Sequence, residues 1–118
     1  MFGEHLQSIV SRMQGVVGVT LMGFDGIAIE SVSGKASGDW QSSSIEMGSI
    51  ASQLQRISES MGTGEVEELV VQTGVLTTVL RPLTSEYFVA VILTSGSNTG
   101  KARYLLRLVG PKLKAGLA

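Results

Sequence analysis

The chain has 118 residues, of which 43% are hydrophobic and 16% charged, and a formal charge of −1. This length suits one domain over residues 1–118. The near-neutral charge excludes a strong field that would select nucleic acid or an anionic membrane. The absence of cysteine excludes disulfides, thiolate metal sites and a cysteine nucleophile. With no secretory signal and no apolar run of about 20 residues, we expect a soluble, cytoplasmic protein.

The chain begins with a predicted helix followed by a β-hairpin. Apolar residues from Phe2 to Met13 recur with the four-three-four spacing of one helical face. Two valine- and isoleucine-rich segments, 16–22 and 27–32, then flank the sequence GFDG. Because Asp-Gly tolerates the positive φ of a tight turn, we predict that these segments pair antiparallel.

A second helix is predicted from Ser43 to Met61. Ser43 and Glu46 have the spacing of a capping box, and apolar residues recur with four-three-four spacing from Ile50 onward. Most other positions are serine, glycine or alanine. Small side chains let another helix approach closely, so two interpretations stay open: a helix that packs against a partner, or a surface helix with a serine-rich face.

The second half of the chain predicts three strands and a closing helix. The segments 66–72, 76–82 and 87–93 are joined by short connections, which favours an antiparallel meander. The last of them is apolar on both faces, so it should lie centrally in the sheet. A helix should begin near Asn98, with Pro111 kinking or restarting it.

The predicted order is therefore α-β-β-α-β-β-β-α, an α+β fold with one five-stranded antiparallel sheet and helices on both faces. In this order the strand 66–72 can lie at an edge, where its LVV sequence would promote aggregation unless something pairs with it. A two-fold copy of the chain would supply that pairing, and the small-residue face of the second helix would meet its own copy. We predict a homodimer on this ground.

The sequence TSGSNTGKAR (94–103) is similar to a phosphate-binding loop but lacks both ends of the motif. Ser95 replaces the first glycine and Ala102 replaces the hydroxyl that would hold magnesium. An antiparallel sheet is also the wrong scaffold for that motif. We interpret the stretch as a helix cap made by Ser97 or Asn98, and nucleotide hydrolysis ranks last among the functions considered.

Other catalytic and metal signatures are absent. The only histidine, His5, lies on the polar side of the first helix, so it cannot complete a catalytic triad or a histidine metal site. Glu65, Glu67 and Glu68 cluster outside any loop cage, which favours solvating or edge-protecting charges over a cation site. We predict no catalytic residue, no cofactor and no metal.

Basic residues are concentrated at the C-terminal end. Five of the nine lie in the last 18 positions, and no acidic residue follows Glu86. These residues are Lys101, Arg103, Arg107, Lys112 and Lys114. Such a helix suits phosphates or an acidic protein. Nucleic-acid binding usually adds several aromatic rings, and here only Tyr104 is present. Cations near a helix C-terminus are also stabilised by the helix dipole. The cluster of basic residues therefore favours a solvated face over nucleic-acid binding.

The segments VVGVTLMGFDGIAIES (16–31) and NTGKARYLLRLVGPKLKAGL (98–117), with the order of elements, resemble the roadblock/LC7 family over essentially the whole chain. The first is similar to the family's hairpin and the second to its closing helix. The resemblance implies a roadblock (profilin-like) sandwich that dimerises, with itself or a related protein, through the third strand and second helix. The predicted interface residues are Ile50, Leu54, Ile57, Val66, Leu69 and Val71.

Function is implied by the resemblance alone. Roadblock proteins are non-catalytic platforms for Ras-like or Rag-like small GTPases, or dynein light chains. The phrases MGFDGIAIE and RYLLRLVGPKLKA are most similar to bacterial MglB- and MglC-like members of MglA-type polarity and motility modules. MglB-like members activate the GTPase, whereas MglC-like members bind other module components. The short N-terminus and the lack of a C-terminal tail favour the MglC-like adaptor, with the activator as the alternative.

Partner contacts are predicted on the second helix, where Gln53, Gln55 and Arg56 are the exposed candidates. Trp40, just upstream, is a candidate aromatic anchor. The alternatives are a core or sheet-edge position for Trp40 and a solvated charge for Arg56.

A second class of function is a small-ligand sensor, because an antiparallel sheet with helices on both faces can enclose a pocket. The few polar residues that would line one, Thr20, Thr77 and Thr78, show no convergence, which argues against this alternative.

Overall fold

A computed structural model describes all 118 residues. Its elements follow the predicted order. The helices are α1 (Phe2–Arg12), α2 (Gln41–Met61) and α3 (Thr99–Leu117). The strands are β1 (Val16–Gly23), β2 (Ala28–Ser33), β3 (Leu69–Gln72), β4 (Leu76–Pro82) and β5 (Tyr87–Thr94). No helix combines the length and the apolar character needed to span a membrane.

All five strands form one antiparallel sheet in the order β2-β1-β5-β4-β3. The central strand is β5, and its residues 88–93 are all buried, as its uninterrupted apolar sequence predicted. The hairpin of β1 with β2 and the meander of β3, β4 and β5 are confirmed. β3 lies at one edge, as predicted, and β2 lies at the other.

The helices cover both faces of the sheet, which confirms the predicted sandwich. α1 and α3 close one face over the larger core, and α2 closes the other over a smaller core. Alternation along β5 divides its side chains between the two layers. Val89, Val91 and Leu93 belong to the larger core, and Phe88, Ala90 and Ile92 belong to the smaller one.

The hairpin turn has the predicted Asp-Gly chemistry. Gly26 has a φ of 90°, which an L side chain rarely adopts. The Asp25 carboxylate accepts a hydrogen bond from the Ile27 N–H at 3.0 Å, and the Gly23 N–H donates to the Ile27 carbonyl at 2.9 Å. Local hydrogen bonds therefore fix the entry into β2.

The predicted start of the second helix is wrong by two residues. α2 begins at Gln41, and Trp40 is its N-cap residue without a side-chain capping bond. Ser43 makes no capping box with Glu46, because its hydroxyl donates instead to the Trp40 carbonyl at 3.0 Å. The helix ends at Met61 as predicted, where Gly62 adopts the left-handed conformation with a φ of 68°.

Two further boundaries differ from the sequence prediction. The third strand contains only residues 69–72 and not 66–72, because the Val66 N–H is bonded to the Gln55 side chain at 2.9 Å and not to β4. α3 continues through Pro111 as one helix, so the restart that was the alternative to a kink near Gly110 is wrong, whereas the kink stays a prediction. The predicted N-cap of α3 is confirmed, since the Asn98 side chain accepts a hydrogen bond from the Lys101 N–H at 3.0 Å.

Trp40 anchors the start of α2 on the sheet. Its side chain is only 6% exposed and belongs to the smaller core. The indole lies directly on Gly18 of β1, so closely that a Cβ at this position would overlap the ring. Glycine at position 18 therefore makes the room that this tryptophan occupies.

Replacing Gly18 with alanine should displace the indole and lower the free energy of unfolding by about 1–3 kcal/mol, the usual cost of overpacking a core. Trp40 is the only tryptophan, so its emission should also shift to the red. Urea denaturation followed by fluorescence measures both effects. Gly74→Ala is the matched control, because nothing lies within 4 Å of a Cβ added there. An equal loss of stability in both variants would contradict the assignment.

Candidate interaction surface

The outer side of α2 carries an exposed apolar stripe. Ile50 is 41% exposed, Ile57 is 53% exposed and Met61 is 68% exposed. At about 3.6 residues per turn, these residues lie on the side opposite Gly48 and Ala51, which are buried. Large apolar side chains on the solvent-facing side of a helix are typical of a surface that binds another protein.

The sequence suggested that the small residues of α2 face a partner helix. In the structure, the buried ones face the protein's own sheet. A Cβ on Gly48 would lie 2.7 Å from the ring of Phe88, so this glycine rests directly on the protein's own sheet. Ser44 and Ala51 are buried on the same side. The prediction that the small-residue face meets its own copy is therefore wrong, because that face is already covered. The face of α2 that remains open to solvent is the one with the exposed isoleucine stripe.

The edge strand β3 lies beside this helix. Leu69 pairs with Leu80 of the smaller core, so it faces the α2 layer, and Val71 lies two residues further along on the same face. Both are half-buried, whereas Val70 on the other face is 39% exposed. Only β4 pairs with β3, so its outer backbone groups are open for pairing with another strand.

The Gln55 side chain helps to hold the segment between α2 and β3 against the helix. The Gln55 side chain accepts from the Val66 N–H at 2.9 Å and donates to the Glu59 carboxylate at 3.2 Å. This tether places the entry to β3 next to α2. The exposed stripe and the open strand edge therefore lie on one side of the molecule, and together they form what we call the α2–β3 surface.

The structure divides the predicted interface residues into three groups. Ile50 and Ile57 lie in the exposed stripe, and Leu54 is half-buried beside it. Leu69 and Val71 belong to the edge strand. Val66 is half-buried but precedes the strand, so its predicted place within the strand is wrong.

The predicted partner-binding residues differ in their exposure and in the hydrogen bonds that their side chains make. Gln53 and Arg56 are exposed on α2, and neither makes a side-chain hydrogen bond or an ion pair. Gln55 is engaged in the tether to Val66. Trp40 is buried against Gly18, so the structure favours the core alternative over an exposed anchor.

One ion pair was missed by the sequence analysis. The Arg103 guanidinium donates two hydrogen bonds to the Glu68 carboxylate, from Nε to Oε1 and from Nη2 to Oε2, each at 2.8 Å. The bonds from Arg103 lower the pKa of Glu68 below its ordinary value of 4.5, and Glu68 raises the pKa of Arg103. The pair fastens the entry to β3 onto α3. The two residues are 35 positions apart, so no local pattern indicates it.

Replacing Glu68 with glutamine should remove a small, pH-dependent contribution to stability. The folded pKa of Glu68 is lowered, so the contribution is complete above about pH 4.5 and is lost as the pH falls through the lowered value. Water reaches both side chains, which are 43% and 25% exposed, so salt should also weaken the effect. Urea denaturation of both proteins from neutral to acid pH measures it.

The control for this experiment is Glu65→Gln, an exposed glutamate nearby that makes no ion pair. A stability difference between wild type and Glu68→Gln that stays the same at acid pH would contradict the ion pair as its source.

The structure brings together no catalytic or metal-binding set. No group of three or more histidine or acidic side chains is positioned to hold a metal ion, and the one histidine, His5, is half-buried on α1. Every buried side-chain nitrogen or oxygen has a hydrogen-bond partner, including Thr20, which shares one with Ser31 at 2.8 Å. No buried polar group is therefore left to receive a ligand.

A five-stranded antiparallel sheet between one long helix and a pair of helices defines a small α+β module of the roadblock type. Over 98% of both chains, the sequence is 32% identical to MglC from Myxococcus xanthus, with a TM-score of 0.70. A roadblock/LC7 domain from Streptomyces avermitilis is 18% identical, covering 98% of this chain and 96% of that one, with a TM-score of 0.73. The chain belongs to the roadblock/LC7 family.

The fold is also that of MglB from Myxococcus xanthus. The two are 13% identical over 98% of this chain and 94% of MglB, with a TM-score of 0.79. At this identity the likeness concerns the fold alone, whereas the likeness to MglC extends to the sequence. No family model and no curated protein matches the sequence.

Proposed function

We propose that the chain, as a single roadblock/LC7-like domain over residues 1–118, is a dimeric, non-catalytic interaction platform in a bacterial module built around a small GTPase of the MglA type. In this module it acts as an adaptor that binds other components. The observation that carries the proposal is the α2–β3 surface, where an exposed isoleucine stripe lies beside an open strand edge. Surfaces of this kind bind proteins.

Dimerisation through the α2–β3 surface pairs the open strand edge and also buries the exposed apolar stripe. Pairing β3 with the β3 of a second copy satisfies the open backbone groups and continues the sheet across the two-fold axis. The same axis brings the stripes formed by Ile50 and Ile57 together, which removes them from water. Gln53 and Arg56 then remain at the margin of the dimer as candidates for contact with a further partner.

Similarity to MglC favours the adaptor over the activator. The chain shares 32% identity with MglC but only 13% with MglB from the same organism. Hydrolysis by the chain itself is a separate question, and the loop that is similar to a phosphate-binding loop offers no group suited to it. There Asn98 caps α3, and Lys101 is exposed. This loop argues against hydrolysis by the chain itself and does not separate adaptor from activator, since neither role needs a nucleophile or a metal in this chain.

Replacing Ile57 with glutamate should dissociate the dimer. Ile57 is 53% exposed, so the monomer tolerates the change. In a two-fold dimer the substitution occurs twice, and each copy forfeits about 1.5 kcal/mol or more of apolar burial, so the dimer should weaken at least about a hundredfold. Sedimentation equilibrium, which separates one chain of 12.4 kDa from two, measures this.

Ile27→Glu is the matched control, because Ile27 is 68% exposed but precedes β2 at the opposite edge of the sheet. It should leave the dimer intact. A monomeric wild-type protein at micromolar concentration, or equal dissociation by both variants, would overturn the proposed interface.

The adaptor role is tested on the GTPase itself. In a single-turnover assay, the host's MglA-type GTPase should hydrolyse GTP at the same rate with and without a saturating excess of this protein. In the same preparation, pull-down should recover a related roadblock protein or the GTPase as a partner. Acceleration by about a hundredfold or more would replace the adaptor with the activator, and the absence of both partners would refute the module assignment.

A further inference from the structure

The outer face of α3 carries apolar side chains that the fold does not use. Tyr104 is 53% exposed and Leu108 is 39% exposed, although this helix already buries Leu105, Leu106, Val109 and Leu113 in the larger core. Pro111 and Ala115 continue the same side and are also exposed. These four residues, Tyr104, Leu108, Pro111 and Ala115, form what we call the α3 seam.

The spacing of the α3 seam is that of a helix-packing surface. Its members follow one another at intervals of four, three and four, which is how the a and d positions of a coiled coil alternate. At about 3.6 residues per turn this spacing aligns them along the helix. The α3 seam, from Tyr104 to Ala115, is long enough for about three turns of a second helix to lie against it.

Cations line both sides of the α3 seam. By helical rotation, Arg103, Arg107 and Lys114 flank one side, and Lys101 and Lys112 flank the other. Arg107 and Lys114 occupy the positions that in a coiled coil pair with charges of the partner helix. Only Arg103 has an ion-pair partner, Glu68, and no acidic residue follows Glu86 in the chain. The other four cations make no ion pair, although Arg107 lies close enough to Glu68 for its charge to help lower the pKa of that carboxylate.

We propose that the α3 seam binds an acidic amphipathic helix of another protein. Such a helix would set apolar side chains on Tyr104 and Leu108 and carboxylates against Arg107 and Lys112. The charges disfavour a symmetric contact with the α3 seam of a second copy, because two such faces would bring cations against cations. The α3 seam lies on the opposite side of the sheet from α2, although Arg103 at its margin is paired with Glu68 at the entry to β3.

Membranes and nucleic acids fit this surface less well. A helix that lies in a membrane buries a broad apolar face, whereas the broad apolar face of α3 is already packed in the core. Single-stranded nucleic acid binds through several stacked aromatic rings, and Tyr104 is the only aromatic residue of α3. Both remain outcomes of the experiment.

The test uses a synthetic 21-residue helical peptide with leucine at positions a and d and glutamate at e and g, labelled for fluorescence anisotropy. A second peptide with lysine in place of glutamate is the charge control. The full chain should bind the acidic peptide at least tenfold more tightly than the basic one, and added salt should weaken binding. An NMR footprint of the acidic peptide should fall on residues 101–115.

Arg107→Glu and Leu108→Ser should each weaken binding of the acidic peptide by about fivefold to tenfold. The matched controls are Lys35→Glu and Val75→Ser, an exposed lysine and an exposed valine outside α3, which should leave binding unchanged. None of the four changes should alter the sedimentation mass. A failure here is therefore distinct from a failure of the proposed dimer.

Four kinds of result would overturn the proposal, three from the binding measurements and one from a control variant. One is equal affinity for the two peptides or no binding of either, and another is a footprint on α2 and β3. The third is tighter binding to vesicles containing phosphatidylserine or to an oligothymidylate than to the acidic peptide. Loss of binding in Lys35→Glu as large as in Arg107→Glu would reduce the effect to non-specific charge and would equally overturn it.

Discussion

Burial of β5 on both faces is the constraint on which the rest of the structure depends. Residues 88–93 of this strand are all buried, so neither face of the sheet can be left to water. The strand order places β1 and β4 on either side of it and leaves the shorter, more exposed strands β2 and β3 at the edges. Two layers of helix follow because each face needs its own cover.

The two layers meet this constraint in different ways, and the difference creates the exposed surfaces. α1 and α3 pack on the sheet with leucine and isoleucine. α2 instead rests on Gly48 and Ala51, because the rings of Phe88 and Trp40 already fill the space beneath it. With small residues turned inward, its large apolar residues point to solvent. The proposed dimer surface is thus a consequence of how α2 covers Phe88.

Much of this fold was predictable from the sequence, because strand and helix periodicities are local. The element order, the hairpin, the central position of β5 and the Asn98 cap all came from patterns within a few residues. The rotation of α2 did not, because a helix with isoleucine on one side and small residues on the other can bury either. The length of β3 and the Glu68–Arg103 pair depend on contacts with distant residues, Gln55 and α3, which no local pattern encodes.

The distribution of exposed apolar residues bears on what kind of module this is. The stripe on α2 and the seam on α3 lie on opposite sides of one sheet, and the buried residues of β5 separate them. If the α2 stripe forms the dimer interface, each dimer presents two copies of the α3 seam. Both copies then face away from the two α2 helices. A protein that holds two identical basic seams at a fixed separation can connect two partners without altering either. That arrangement suits an interaction platform, because it leaves each seam free to hold its own partner.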